Sequence, residues 1–154
     1  MQLSKNFSLS EMTKSDTAAR KGIENTPTDQ HKESMKLLCD KILQPVREHF
    51  AKSVRVTSGY RSEALCEAIG SSKTSQHAKG QAADFEITGI DNKELAEWII
   101  ENLEFDQIIL EFYDEGDANS GWVHCSYKMQ DNRKQVLRAS RKDGKTHYTK
   151  GLVL

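Results

Sequence analysis

The order of the hydrophobic patterns along this chain constrains its fold most. From Thr28 to Phe50, apolar residues recur every three or four positions, which places them on one face of a long helix. Later in the chain, short apolar or alternating segments predict strands, at 82–87, 107–112, 122–127 and 135–139. Helices that precede a cluster of strands indicate an α+β fold, in which N-terminal helices pack on a mainly antiparallel sheet.

Local signals predict where several of these elements begin or bend. Ser8 and Glu11 have the spacing of a capping box, which predicts that a short helix starts there. Asp91 and Glu94 predict a second capping box and a second helix start. Pro45 lies inside the long helical pattern and has no N–H to donate, so we expect the helix to kink there.

The length of 154 residues predicts one domain over 1–154, because a second independent hydrophobic core is not expected at this size. The segment that carries the motifs described below spans about 30–130. Asp143-Gly144 is a strong turn signal, and it predicts a C-terminal β-hairpin at about 133–154.

Composition narrows the class of protein. The formal net charge is −1, so we expect no nucleic-acid partner, and the locally basic stretch 133–150 is interpreted as a solvated sheet edge. The cysteines are three and scattered, which argues against a disulfide framework. No segment has the apolar length of a membrane span or the pattern of a signal peptide, so we expect the protein to be made in the cytoplasm. We also expect it to be a monomer.

One polar segment combines residues that can bind a metal: residues 75–84 read SQHAKGQAAD. Gly80 lets the backbone fold back tightly, so the imidazole of His77 can meet the carboxylate of Asp84. His124 lies in an apolar strand, where a histidine needs a partner. Two histidines and one carboxylate, with a fourth position open, make a catalytic zinc site. From spacing alone, a hydrogen-bonded core histidine and a strand-end aspartate remain alternatives.

These segments resemble the zinc D-Ala-D-Ala carboxypeptidases and the L-alanyl-D-glutamate endopeptidases of phage lysins, a family that shares its zinc fold with the hedgehog signalling domain. The family pattern Ser-x-His-x-x-Gly-x-Ala-x-Asp is matched by 75–84. The later Trp-x-His is matched by 122–124, which read WVH. The upstream segment 58–62, SGYRS, is also similar. The resemblance covers about 30–130 and implies the same zinc fold.

The resemblance implies roles for individual residues. His77, Asp84 and His124 bind one Zn²⁺ ion. Arg61 stabilises the oxyanion or holds a substrate carboxylate, with a structural salt bridge as the alternative. Ser75 orients the substrate or its own loop, and the alternative is a hydroxyl bonded to its own backbone.

The alternation of side chains along a strand predicts which face each neighbour of His124 occupies. Trp122 shares the face of His124, so it is a candidate for substrate contact, with packing as the alternative. Cys125 points to the opposite face and is expected in the core. The histidines outside the motifs are expected at the surface: His31, His49 and His147.

The general base is the point at which the sequence departs from part of the family. Several members carry an acid three residues before the last histidine, where this chain has Gly121. Hydrolysis still needs a carboxylate to accept the proton of the attacking water. Glu111 is the first candidate, because it resembles an acid at that strand end in the phage-type branch. The alternatives are Asp114, Glu115 and Asp117 in the acidic connection.

The resemblance therefore implies zinc-dependent hydrolysis of an amide bond in bacterial peptidoglycan stem peptides. The type is either D-Ala-D-Ala carboxypeptidase or L-Ala-D-Glu endopeptidase, and the role is that of a phage or prophage endolysin. Release through a phage holin would bring such an enzyme to the cell wall. The alternative function is a non-catalytic zinc-containing module on the same fold, which binds the cell wall or belongs to the virion.

Overall fold

The computed structural model describes residues 1–152. Most of the helices lie in the first half of the chain and most of the strands in the second. The helices are α1 (Leu9–Thr13), α2 (Asp16–Lys21), α3 (Asp29–Leu38), α4 (Gln44–Phe50), α5 (Glu63–Ala68) and α6 (Asn92–Asn102). The strands are β1 (Gln2–Ser4), β2 (Phe7–Ser8), β3 (Arg55–Ser58), β4 (Ala82–Glu86), β5 (Gln107–Glu111), β6 (Trp122–Ser126), β7 (Gln135–Lys142) and β8 (Lys145–Lys150). A π-helical turn (Cys39–Leu43) and a 3₁₀ helix (Gln76–Lys79) complete the set.

Side-chain caps start the helices near the expected positions. The predicted capping box of α1 is confirmed, because Ser8 and Glu11 each accept a hydrogen bond from the other's backbone N–H at 3.3 Å. Helix α6 also begins after Asp91, as predicted. There, however, the Asp91 carboxylate accepts from the N–H of Lys93 at 2.8 Å, so the second capping box with Glu94 was wrong.

The long helix expected after Thr28 changes its hydrogen-bond pattern just before Pro45. Between α3 and α4 the chain forms the π-helical turn, and the N–H of Gln44 donates to the carbonyl of Cys39, five residues earlier. Pro45 then lies in the first turn of α4, directly after the π-helical turn. The expected kink therefore takes the form of a widened turn.

One six-stranded sheet has the order β3-β4-β6-β5-β7-β8. Its neighbouring strands are antiparallel except for β5 and β7, which are parallel. A separate small sheet consists of β1 and β2. The α+β prediction with a mainly antiparallel sheet is confirmed.

The predicted C-terminal hairpin consists of β7 and β8. Asp143 and Gly144 have φ values of 53° and 76°, and a two-residue hairpin turn favours such positive φ values. Strand β7 runs to Lys142 rather than to Ala139 because it pairs with β8 up to this turn. Residues 153 and 154 of the predicted hairpin lie outside the described residues.

The hydrophobic core lies between the helices and one face of the sheet. Alternate strand residues such as Phe85, Val123 and Cys125 are fully buried there against helical residues such as Ile42 and Leu95. The expected core position of Cys125 is confirmed. The other face of the sheet is thus left for polar side chains, and it carries the candidate site. No helix within residues 1–152 has both the length and the apolarity to cross a bilayer.

Cysteines and outlying histidines mostly follow expectation. All three cysteines are buried and free, and burial raises the pKa of the Cys125 thiol, which suits core packing rather than nucleophilic attack. His49 and His147 are exposed. His31 was expected at the surface but is half-buried, since its Nδ1 accepts from the N–H of Thr28 at 3.2 Å and caps α3.

Candidate metal centre and active-site cleft

Three side chains from separate elements converge on the polar face of the sheet. Asp84 on β4 and His124 on β6 are direct partners in the antiparallel register, and His77 comes from the 3₁₀ helix. Asp84 Oδ1 lies 2.9 Å from His124 Nδ1 and 3.4 Å from His77 Nε2. All three potential ligand atoms lie within 4.8 Å of one another.

The spacing and chemistry of these atoms fit zinc. A tetrahedral zinc ion with bonds of roughly 2.0–2.1 Å needs ligand atoms about 3.3–3.4 Å apart. The separation of His77 from Asp84 has this value, and that of Asp84 from His124 is only slightly shorter. Two imidazole nitrogens and one carboxylate oxygen leave a fourth position free, as catalytic zinc sites require.

A backbone carbonyl orients His77. Its Nδ1 lies 2.7 Å from the carbonyl oxygen of Gly59, and because a carbonyl only accepts, Nδ1 carries the proton. Nε2 is then the lone-pair nitrogen that faces Asp84, an arrangement common around metal-binding histidines. The role of Gly59 was not predicted. A Cβ at this position would lie 2.3 Å from the carbonyl oxygen of Met12, so only glycine fits this backbone approach.

Ser75 holds the loop that carries His77. Its hydroxyl accepts from the N–H of His77 at 3.2 Å and caps the 3₁₀ helix. Gly80 ends this helix with φ 73°, and a Cβ there would lie 2.5 Å from the carbonyl oxygen of His31. This contact supports the interpretation that Ser75 orients its own loop, and Ser75 also lines the cavity described below.

Burial and hydrogen bonding set the charges of the cluster. Burial opposes ionisation of Asp84, but its hydrogen bond with His124 and its proximity to His77 outweigh burial and hold its pKa well below the usual range. Burial lowers the pKa of His77 against the raising effect of Asp84. An ionised carboxylate beside a neutral imidazole is the protonation state that metal binding requires.

The cluster opens into a cavity of about 430 Å³. Every residue predicted for the site lines it: Arg61, Ser75, His77, Asp84, Glu111, Trp122 and His124. Five further lining residues were not predicted: Ser71, Gln76, Gln107, Ile109 and Tyr148. The fold therefore brings together residues that are separated by more than half the chain.

Arg61 lies at one side of this cavity. Its Nη1 donates to the hydroxyl of Ser58 at 3.2 Å, and its backbone N–H donates to the carbonyl of His77 at 3.1 Å. Within residues 1–152 it forms no ion pair, and its buried Nε has no hydrogen-bond partner. The structural salt bridge considered as an alternative is thus not formed, and the guanidinium is available to a negatively charged group in the cavity.

Glu111 supplies a carboxylate to the same cavity. It ends β5 and pairs directly with Trp122 on β6, two positions before His124. Burial, followed by the negative charge of Asp84, raises the pKa of Glu111 above its ordinary value, against the opposing effect of His124. A carboxylate with a raised pKa is a better proton acceptor, which suits a general base.

The absence of an acid at position 121 has a structural reason. Gly121 has φ 63°, and a Cβ there would lie 1.9 Å from the carbonyl oxygen of Glu111 and 2.7 Å from the carbonyl carbon of Phe112. Phe112 also has a positive φ, of 55°. The close turn that follows Glu111 thus excludes any side chain at position 121.

The other candidate bases point elsewhere. Asp114, Glu115 and Asp117 are exposed and do not line the cavity. The carboxylate of Glu115 accepts from Arg138 at 2.8 Å and from Lys93 at 3.2 Å, and these bonds lower its pKa. All three acids thus lie in an exposed connection outside the cavity.

Tyr148 is the lining residue that lies farthest along the chain. It comes from β8, within the stretch interpreted as a solvated basic edge. Strand alternation could have placed it on one face of β8. The hairpin's position beside β5, however, depends on a parallel pairing that no local pattern indicates.

The family relationship agrees with this geometry. The family model described as peptidase M15 matches residues 5–126, a segment that holds both metal-binding motifs, Arg61 and Glu111 and that ends before β7. No curated protein matches the chain. The chain therefore belongs to the peptidase M15 family of zinc-dependent metallopeptidases.

Proposed function

We propose that this protein hydrolyses an amide bond in the stem peptides of bacterial peptidoglycan, as a D-Ala-D-Ala carboxypeptidase or an L-Ala-D-Glu endopeptidase. The observation that carries the proposal is the convergence of His77, Asp84 and His124 in one cavity with Glu111 and Arg61. The first three would hold a single Zn²⁺ ion through Nε2, Oδ1 and Nδ1, respectively. The separations between these atoms, the ionised carboxylate of Asp84 and the neutral imidazole of His77 support this assignment.

The chemistry divides among the residues that line the cavity. Zinc supplies a Lewis acid that polarises the scissile carbonyl and activates water. Glu111 accepts a proton from the attacking water and returns it to the leaving amine, a role supported by its burial and raised pKa. Arg61 stabilises the negative charge that develops on the carbonyl oxygen, with a guanidinium that forms no ion pair among residues 1–152.

Two further residues would position the peptide. Trp122 presents a half-buried ring to the cavity, so this ring would pack against the peptide. Its indole interacts with Glu111, its direct partner across the strands, and lowers the pKa of that carboxyl against the larger raising effect of burial. Ser75 combines its contact with the N–H of His77 with a place in the cavity wall, so it would act through the loop and through the substrate together.

The proposed biological setting is lysis by a phage or prophage. The enzyme would be made in the cytoplasm, act as a monomer and reach the wall through a holin pore. Expression in a bacterial host tests this setting: with a co-expressed holin the cells should lyse, and without it they should grow. Lysis that does not depend on a holin would contradict the proposed route.

Digestion of purified peptidoglycan tests the activity itself. Zinc-loaded protein should release new amino groups from at least one wall type, and mass spectrometry of the products should identify the bond. A chelator should stop the reaction, and added zinc should restore it. His49→Ala is a matched control, since His49 is exposed and lies outside the cavity, and it should cleave normally.

The glycine at position 121, where several family members carry an acid, favours one second candidate function. This is a zinc-containing module that binds the cell wall or the virion without cleaving a bond. The same experiment separates the two functions. Zinc-loaded protein that binds every wall preparation and cleaves none would reject the enzyme. Cleavage that depends on Glu111 would reject the binding module and show that this carboxylate replaces the acid missing at position 121.

A further inference from the structure

The C-terminal hairpin extends the cavity wall beyond the metal cluster. Four residues form one row across neighbouring strands: Trp122 pairs with Glu111, Glu111 with Ala139, and Ala139 with Tyr148. Directly paired residues project to the same face of a sheet. Tyr148 therefore lies on the face that carries the site, and it lines the same cavity. The family match ends before this hairpin, so it assigns the hairpin no role.

The small residue in the middle of this row leaves space above the sheet. Ala139 is fully buried, so the surface between Glu111 and Tyr148 has no large side chain from its position. Burial raises the pKa of the Tyr148 phenol and the negative charge of Glu111 raises it further, so the two side chains lie within electrostatic reach. Tyr148 is nevertheless 56% exposed, unlike an aromatic residue that completes a core.

The sheet order sets the distance between Tyr148 and the reacting bond. Three strand spacings separate β6, which carries His124, from β8. At about 4.8 Å per spacing this is roughly 14 Å between backbones, the length of about four extended residues. Tyr148 nevertheless lines the same cavity as the metal cluster. A substrate residue about two to four positions from the scissile bond would meet it.

We propose that Tyr148 forms a distal subsite that positions an extended peptide. Its ring would pack against a substrate side chain and its hydroxyl would bond to the peptide backbone. The enzyme would therefore favour a long stem peptide over a dipeptide. Tyr148 is a positioning residue, because it contacts substrate away from the reacting atoms. This inference rests on the proposed peptidase function and narrows its substrate class.

A pair of synthetic peptides tests the subsite. Both contain the bond that wild-type protein cuts in peptidoglycan; the short one ends one residue beyond that bond on either side, and the long one carries the full stem sequence. Tyr148→Ala should raise KM for the long peptide roughly five- to thirtyfold with little change in kcat. The short peptide should be cleaved equally by wild type and variant. Tyr148→Phe separates the contribution of the hydroxyl from that of the ring.

His147→Ala is the matched control, because His147 is also exposed on β8 but projects to the opposite face. It should leave both peptides unaffected, and thermal unfolding should show that all three variants fold. Equal KM values for Tyr148→Ala and wild type on the long peptide would overturn the inference. So would an equal rise in KM for both peptides.

A failure of the proposed peptidase function can be distinguished from a failure of the subsite. If wild-type protein cleaves no wall preparation, the peptidase proposal is rejected, and calorimetric binding of a pentapeptide stem to the zinc-loaded protein decides the subsite. Weaker binding by Tyr148→Ala, with unchanged binding by His147→Ala, would support it. Equal affinities, or no binding by wild type, would reject it.

Discussion

The metal cluster and the C-terminal hairpin contribute to one cavity but are built differently. His77 and Asp84 are buried, and each is held by a hydrogen bond from a neighbouring element or strand. Tyr148 lies on β8, where every residue is exposed. Buried side chains that are fixed by hydrogen bonds hold a metal ion with the precision that binding needs. An edge strand leaves a side chain free to adapt to a substrate.

Loss of a central ligand should have the largest effect. His77→Ala removes one of three proposed metal ligands, so zinc binding should fall sharply and activity should drop by roughly 10³-fold or more. Elemental analysis of the purified variant measures the first effect, and digestion of peptidoglycan the second. If the folded variant still binds a full equivalent of zinc, His77 is not a zinc ligand.

Replacement of the proposed base should separate chemistry from metal binding. Glu111→Gln keeps the shape of the side chain but cannot accept the proton, so kcat should fall about 10²- to 10⁴-fold while zinc content stays normal. Asp117→Asn is the control, because Asp117 is exposed outside the cavity, and its kcat should match wild type. If kcat falls for Asp117→Asn and not for Glu111→Gln, the general base lies in the acidic connection instead.

A side chain at position 121 should disturb the end of β5. Gly121→Ala meets both an unfavourable φ of 63° and a backbone oxygen at 1.9 Å. The positive φ alone costs about 1–2 kcal/mol, and the collision adds to it. Gly116→Ala is the matched control, with φ 88° and no heavy atom within 4 Å. Urea unfolding should show a clearly larger loss for Gly121→Ala, and equal losses would argue against the collision.

Asp106 joins the two regions of the comparison. This fully buried carboxylate accepts from Gln76, next to His77, at 3.0 Å, and from two nitrogens of the Arg133 guanidinium, just before β7, at 2.8 and 3.1 Å. Burial raises its pKa, but these bonds outweigh burial and hold the pKa well below the usual range. Asp106→Asn should therefore lower the free energy of unfolding at pH 7 by about 2–3 kcal/mol.

The pH dependence gives a second measurement on the same variant. A lowered pKa in the folded state means that Asp106 stabilises the protein above its unfolded pKa of about 3.9. This contribution is lost as the pH falls from there towards the lower folded pKa. Urea unfolding at pH 7 and pH 3 should therefore show a smaller gap between wild type and Asp106→Asn at pH 3. A gap that is independent of pH would assign the stabilisation to packing.

Local features of the chain were largely predictable. The capping box of α1, the hairpin turn at Asp143-Gly144 and the alternation that buries Cys125 depend on neighbours in sequence. The long helix was also recognisable, but its π-helical turn was not, because periodicity alone does not distinguish hydrogen bonds four and five residues apart. The second capping box failed for a related reason: the Asp91 carboxylate had a nearer donor at Lys93.

The sequence by itself determined the types of residue in the site and the strands that carry them. It indicated His77, Asp84 and His124 through motifs that resemble those of the peptidase family, and Glu111 through its resemblance to an acid at a strand end in that family. Tertiary structure alone decided that the carbonyl of Gly59 orients His77, that the turn after Glu111 excludes a side chain at position 121, and that Tyr148 joins the cavity. The physical reason is that strand order and backbone approach arise from contacts between distant segments, which local patterns do not encode.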